Sequence, residues 1–183
     1  MPEYHQAFSY IGALVLLNAS PEDAYWLMLH LFRILPAGFH DKFYLQHDLR
    51  IFTEIVAVRF PKLERYFQKH QIDLSVFASG WIQGAFCAHF PFPTAARFLD
   101  IMFAEGNSTL LIRILVAFVV IHEGQLQTMD SSGSLGQYAN SWSRSLFNPE
   151  PLLAVVQRDT GHLARQISMR RKELFEQAES PHP

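Results

Sequence analysis

The sequence holds a single cysteine, Cys87, in 183 residues, so an intramolecular disulfide is excluded. A reducing compartment is the simplest home for such a chain. An excess of either charge is also missing. Lys plus Arg number 15 and Asp plus Glu 17, a formal net charge of -2. No global basic balance draws the chain onto nucleic acid or an anionic membrane. Long hydrophobic runs are lacking too. The longest, "LLIRILVAFVVI", is broken by Arg113 and falls short of the roughly 20 apolar residues that span a bilayer. The first apolar run, Ile11 to Leu17, has no basic segment ahead of it, so no signal peptide is read. A cytoplasmic protein without an integral membrane segment is expected.

Self-contained catalytic motifs are absent as well. "HEGQL" begins like a zinc-protease helix, but Leu126 stands where the second histidine ligand belongs. "GSLG" is no nucleophile elbow, because Ser134 directly follows Gly133. Cys87 and His89 are two apart, a spacing that sends them to different faces of a helix. There is no P-loop and no dinucleotide fingerprint. The nine histidines are scattered. No metal and no cofactor is expected.

What the chain does have is apolar mass. Hydrophobic residues make up 49% and Phe numbers 16, which argues for one packed domain and against disorder. Abundant Phe fits a core more simply than a lipid or apolar-ligand site. The pattern is helical throughout, and strand-like alternation is not sustained anywhere. Ser20, Pro21 and Asp23 form a helix start. The stripe Tyr25, Met28, Phe32 and Leu35 follows, and then Leu49, Phe52, Val56 and Phe60 form another. Further helices are predicted from Pro61, through Phe77, Trp81 and Ala85, from Pro93 to Gly106, and after Asn107 or Ser108. Thr128 to Ser145, rich in Ser, Gly, Asn and Gln, reads as a loop holding a short helix. "NPEPLLAVV" starts a last helix that reaches about Glu176. There are no internal repeats. The expected fold is all-α, an orthogonally packed multi-helix array, with Trp26, Trp81, Phe86 and Leu115 buried.

Two stretches carry more. "EYHQAFSYIGALVLLNASPEDAYWLM" resembles a signature block of the TBC domain, the Rab GTPase-activating domain. That block runs Tyr-Cys-Gln-Gly, then a buried helix, then an acidic pair leading into Ala-Phe-Trp. Tyr4 and Gln6 hold matching places, and Glu22, Asp23, Ala24, Tyr25 and Trp26 follow. "RFLDIMFAEG" is similar to the family's Arg-Ile-Trp-Asp segment with its trailing Glu-Gly. Arg97, Asp100, Glu105 and Gly106 match, with Leu99 in place of Trp. Pro61, Leu63, Trp81, Phe86 and Pro91 keep the family's order between the two. The resemblance divides the chain into a partial TBC-like helical domain, residues 1–147, and a C-terminal helix packing on it with a frayed tail, residues 148–183.

The resemblance implies a partner, a Rab-type small GTPase in its GTP-bound form, and membrane recruitment through that partner. It also implies GTP hydrolysis assisted by two residues supplied in trans. An arginine finger stabilises the charge of the transferring phosphoryl group, an effect of roughly 10³–10⁵ in rate. A glutamine finger orients the attacking water. Gln6 matches the glutamine finger, presented at the start of a buried helix that Ile11 to Leu17 anchor, and Tyr4 and His5 beside it are expected to touch the partner. His5 replaces the family Cys and Ala7 the family Gly. The arginine motif, Ile-x-x-Asp-x-x-Arg, belongs well upstream of the glutamine and is missing. Arg33, Arg50, Arg59 and Arg65 read as polar helix faces. Little activity is therefore expected from this chain alone, and apolar surface left by missing helices is expected to need a partner. The alternative is a non-catalytic helical protein-interaction module. Arg97 and Asp100 are expected to be structural residues, and their i,i+3 spacing allows a pair on one helix face.

Overall fold

The computed structural model describes residues 6–35 and 42–179. Among the described residues the regular elements are all helices. They run in order α1 (Ala7–Leu16), α2 (Pro21–Ile34), α3 (Lys42–Arg59), α4 (Pro61–His70), α5 (Ser75–Gln83), α6 (Phe92–Glu105), α7 (Leu110–Leu126), α8 (Ser132–Ser145) and α9 (Glu150–Val155). A π-helical turn (Val156–Thr160) follows, and α10 (Leu163–Glu179) closes the series.

Local chemistry explains most boundaries. The Ser20 hydroxyl accepts from the Asp23 amide at 3.2 Å, and Pro21 fills the first position of α2. Asp73 accepts from the Ser75 amide at 2.8 Å ahead of α5. Helix α4 ends with Gln71 in the left-handed region at φ 53°, while the Ile72 amide returns to the Phe67 carbonyl at 2.9 Å. Gly106, at φ 64°, closes α6 in the same way.

Helix α7 is buried nearly all round, with Leu110 to Val119 all inside, and α3, α5, α6, α9 and α10 surround it. Beside it Trp81 lies 5.0 Å from Phe77, 4.9 Å from Phe90 and 5.3 Å from Phe118, all edge-on. Such pairs add about 0.5–1.5 kcal/mol each beyond area burial. Trp81, Phe86 and Leu115 are buried, as their spacing predicted.

Four expectations need correction. Trp26 is 61% exposed, and Tyr25 and Phe32 are exposed with it. Helix α2 turns Ala24 and Leu31 inward instead, so its aromatic stripe is real but lies on the outer side. Helix α1 buries Ala7, Ile11, Leu14 and Val15, whereas Leu16 and Leu17 face outward. The segment from Thr128 to Ser145, read as a loop holding a short helix, is mostly the 14-residue helix α8. A Ser131–Ser134 capping box starts it, and Leu135, Ala139 and Ser143 at i, i+4, i+8 bury one face, so packing overrides weak propensity. The single last helix is interrupted by the π-turn. A Cβ on Gly161 would stand 2.6 Å from the Gln157 carbonyl oxygen, so glycine is required there.

Candidate functional site

Gln6 sits at the amino end of α1. Its backbone is already helical, at φ -54° and ψ -29°, and its carbonyl accepts from the Ser9 amide at 3.0 Å. The side chain is exposed and makes no cap to the helix. The four buried residues of α1 hold the backbone beneath it. A flexible polar side chain is thus presented from a fixed base, an arrangement suited to positioning a water or a partner group. Ala7 is only 6% exposed, so its methyl packs inward and away from the face that carries Gln6. Tyr4 and His5 lie outside the described residues.

The end of α2 comes back beside this start. Phe8 meets Phe32 edge-on at 5.1 Å. The clefts lie elsewhere. One of about 560 Å³ runs between α3 and α10, lined by Ile51, Ile55, Val58, His162 and Gln166 among others. Another, of about 260 Å³, lies by Asp48, Ser108 and Arg171. Gln6 borders neither.

The arginines of these clefts are already engaged. Arg171 reaches both Asp48 oxygens at 2.8 Å and the Ser108 hydroxyl at 3.0 Å, which clamps α10 to α3 and to the start of α7. Arg170 bridges Glu54 and Glu173, and Glu54 is held below the usual carboxylate range, mainly by its hydrogen bond to Arg170. The buried Arg113 takes both oxygens of Glu105, at 2.8 and 2.9 Å. The i,i+3 pair expected of Arg97 and Asp100 is not formed. Arg97 instead reaches Glu150 at 3.3 Å, and Asp100 is exposed. The interior salt bridge of this segment belongs to Glu105, because Arg113 is the buried cation that needs a carboxylate.

The remaining chemical candidates are structural. Burial pushes the Cys87 thiol up to about 12, its side chain packs against the core, and its S–H donates to the Ala85 carbonyl at 3.4 Å, so the thiol stays protonated at neutral pH. His89 packs against Gly80, where an added Cβ would stand 2.8 Å from Nε2. His122 of "HEGQL" points into the core. Its Nδ1 and the Tyr138 hydroxyl are 2.8 Å apart, and its ring lies 5.0 Å from that of Trp142. Among the described residues no three His, Cys, Asp or Glu side chains gather as a metal site. No described helix is long and apolar enough to cross a membrane.

With this geometry in place, the comparisons with known proteins agree with one another. The family model described as Rab-GTPase-TBC domain matches residues 2–127. Small G protein signaling modulator 3 of Homo sapiens is 28% identical over 176 residues, covering 93% of this chain and 23% of that protein. TBC1 domain family member 2B of Xenopus tropicalis is 24% identical over 178 residues, covering 88% and 19%. The chain therefore spans about a quarter or less of the curated relatives it matches. A solved structure, the Chlamydomonas flagellar RabGAP TBC domain, superposes with a TM-score of 0.75 at 25% identity. It is matched over 86% of this chain and 54% of its own.

Proposed function

Because the chain belongs to the Rab-GTPase-TBC domain family, we propose that it regulates a Rab-type small GTPase in its GTP-bound form, with Gln6 as one half of a two-residue catalytic set. The observation that carries this reading is the exposure of Gln6 on the anchored amino end of α1. From that position its amide accepts a hydrogen bond from the attacking water and donates one toward the phosphoryl oxygens. That is the service a GTPase's own glutamine performs. The inward packing of Ala7 supports the reading, since the methyl that replaces the family glycine does not obstruct an approaching GTPase.

The arginine half comes from outside these residues. No arginine here stands in the family's Ile-x-x-Asp-x-x-Arg pattern. Arg113, Arg170 and Arg171 are paired with carboxylates that fix helices to one another. The chain alone is thus a binding half, deficient in the electrostatic contribution worth roughly 10³–10⁵ in rate.

The test is a screen of the purified chain against a panel of Rabs loaded with GTP or GDP. Binding that prefers the GTP state, with little stimulated hydrolysis, is the expected result. Adding a segment that bears the arginine motif should restore hydrolysis, and Gln6→Ala should then remove it. Robust hydrolysis by the 183-residue chain alone would sink the account of the missing arginine. Binding that stays silent after the arginine is restored leaves a non-catalytic interaction module.

A further inference from the structure

The cleft between α3 and α10 holds about 560 Å³, within the roughly 300–1,000 Å³ of small-ligand sites. Its floor is apolar. Ile51, Ile55 and Val58 follow one another on α3 at i, i+4 and i+7, and Leu163 comes from the first turn of α10. Ile51, Ile55 and Leu163 are buried, whereas Val58 continues the same stripe and is 85% exposed. The rim is charged. Glu54 is held by both Arg50 and Arg170, and Arg170 also takes Glu173. Asp159 pairs with Arg158 and feels Arg59 at longer range. Arg59 itself forms no ion pair among the described residues. It is half-buried and donates through Nη1 to the backbone carbonyl of Asp159. Four guanidinium groups thus stand with three carboxylates around the cleft, and the surplus cation is Arg59, directly after Val58.

A backbone carbonyl leaves the charge of Arg59 unbalanced and the other edge of its guanidinium without a partner among the described residues. That edge is the one that receives a carboxylate through two parallel hydrogen bonds. Val58 is the one exposed large hydrophobic among the lining residues, so the cleft offers no broad apolar patch for a folded protein. An apolar trough with a single uncompensated cation at its edge suits a small molecule of matching polarity. We propose that the α3–α10 cleft binds a small amphipathic carboxylate, an aliphatic acid whose chain lies along Ile55, Val58 and Leu163 and whose head is held by Arg59. Such a ligand touches both helices and so stabilises their junction. Gln6 borders no part of this cleft, and neither GTP hydrolysis nor a GTPase enters its chemistry.

The test uses the full 183-residue chain and sodium hexanoate, octanoate and decanoate below their micellar concentrations. Calorimetry should give one site per chain. Affinity should tighten about two- to fourfold per methylene, fourfold being the value for full burial. Methyl resonances of Val58, Ile55 and Leu163 should shift, and the melting temperature should rise with octanoate concentration. Arg59→Met should weaken octanoate by about tenfold or more and leave octanol unchanged. Val58→Asp, at an exposed site that does not endanger the fold, should abolish octanoate binding. Arg65→Met on α4 should have no effect. Octanol binding as tightly as octanoate, shifts elsewhere than the cleft, or uptake of many acids per chain overturns the proposal. So does an absence of binding by all three acids. Binding of the peptide acetyl-Leu-Glu-Leu-Glu-amide in place of octanoate also overturns it, and makes the cleft a peptide site.

Discussion

His122 holds one ring nitrogen against the Tyr138 hydroxyl, while its Nε2 is buried without a partner. Burial keeps its imidazole below the ordinary value, and the same cause acts first on His47 and His89. A histidine whose folded value is depressed takes up its proton earlier in the unfolded chain. The stabilising difference is present above the unfolded value of about 6.5 and is lost as pH falls through it. The melting temperature should therefore drop between about pH 7.5 and about pH 5.5. His122→Phe should make that slope shallower, whatever it does to stability at neutral pH. An unchanged slope would remove His122 from the account. Two tryptophans give a second residue-scale contrast. Trp81 is 1% exposed and Trp26 61%. Trp81→Ala should cost about 3–5 kcal/mol by chemical denaturation. Trp26→Ala in the isolated chain should stay within about 0.5 kcal/mol. Gln6→Ala should be equally quiet, because an exposed terminal side chain loses few contacts.

At the scale of elements, the helix ends and the interhelical clamps are the sensitive points. Gln71 closes α4 in the left-handed region and is exposed, so Gln71→Gly removes a steric cost without losing packing. A gain of about 1 kcal/mol is expected, read as a higher denaturation midpoint with an unchanged m-value. Glu105 is the opposite case. It holds the guanidinium of Arg113, which is buried on α7 at the wall of a cleft. Glu105→Ala should cost about 3 kcal/mol, the low end for stranding a buried charge, since the Glu105 side chain is still 30% exposed. Asp100→Asn should change little, because Asp100 is an exposed position on the same helix. The clamp of Arg171 on Asp48 and Ser108 makes α10 a brace across α3 and the start of α7. Removing residues 148–183 should therefore lower the melting temperature and expose Ile51 and Ile55, which face α10 across the cleft.

For the whole molecule, one face of each early helix packs against α6, and Tyr10, Tyr25, Trp26 and Phe32 stay outside. A measurement of intrinsic and stimulated GTP hydrolysis, made with and without a segment that bears the arginine motif, reads the role of Gln6 directly. Stimulation should appear only with that segment and should depend on Gln6 there.

The sequence by itself determined the helical class, the capped helix start at Ser20 and the family. Each of these rests on local spacing or on an ordered motif, which a linear chain displays in full. The buried places of Trp81, Phe86 and Leu115 were readable for the same reason. The side of α2 that faces inward was not. A 3.6-residue period shows that a helix has an apolar stripe, but only its neighbours decide whether that stripe is covered, and Tyr25, Trp26 and Phe32 remain outside. The length of helix α8 was hidden because Ser and Gly carry weak propensity, and its burial against Trp81 and His122 supplies what the composition lacks. The salt bridges between helices were equally out of reach. Arg113 finds Glu105 eight residues earlier, Arg97 finds Glu150 and Arg171 finds Asp48, all partners that packing brings together and i,i+3 spacing does not. Pairing between charges on different helices depends on distance in space, and tertiary structure alone sets that distance.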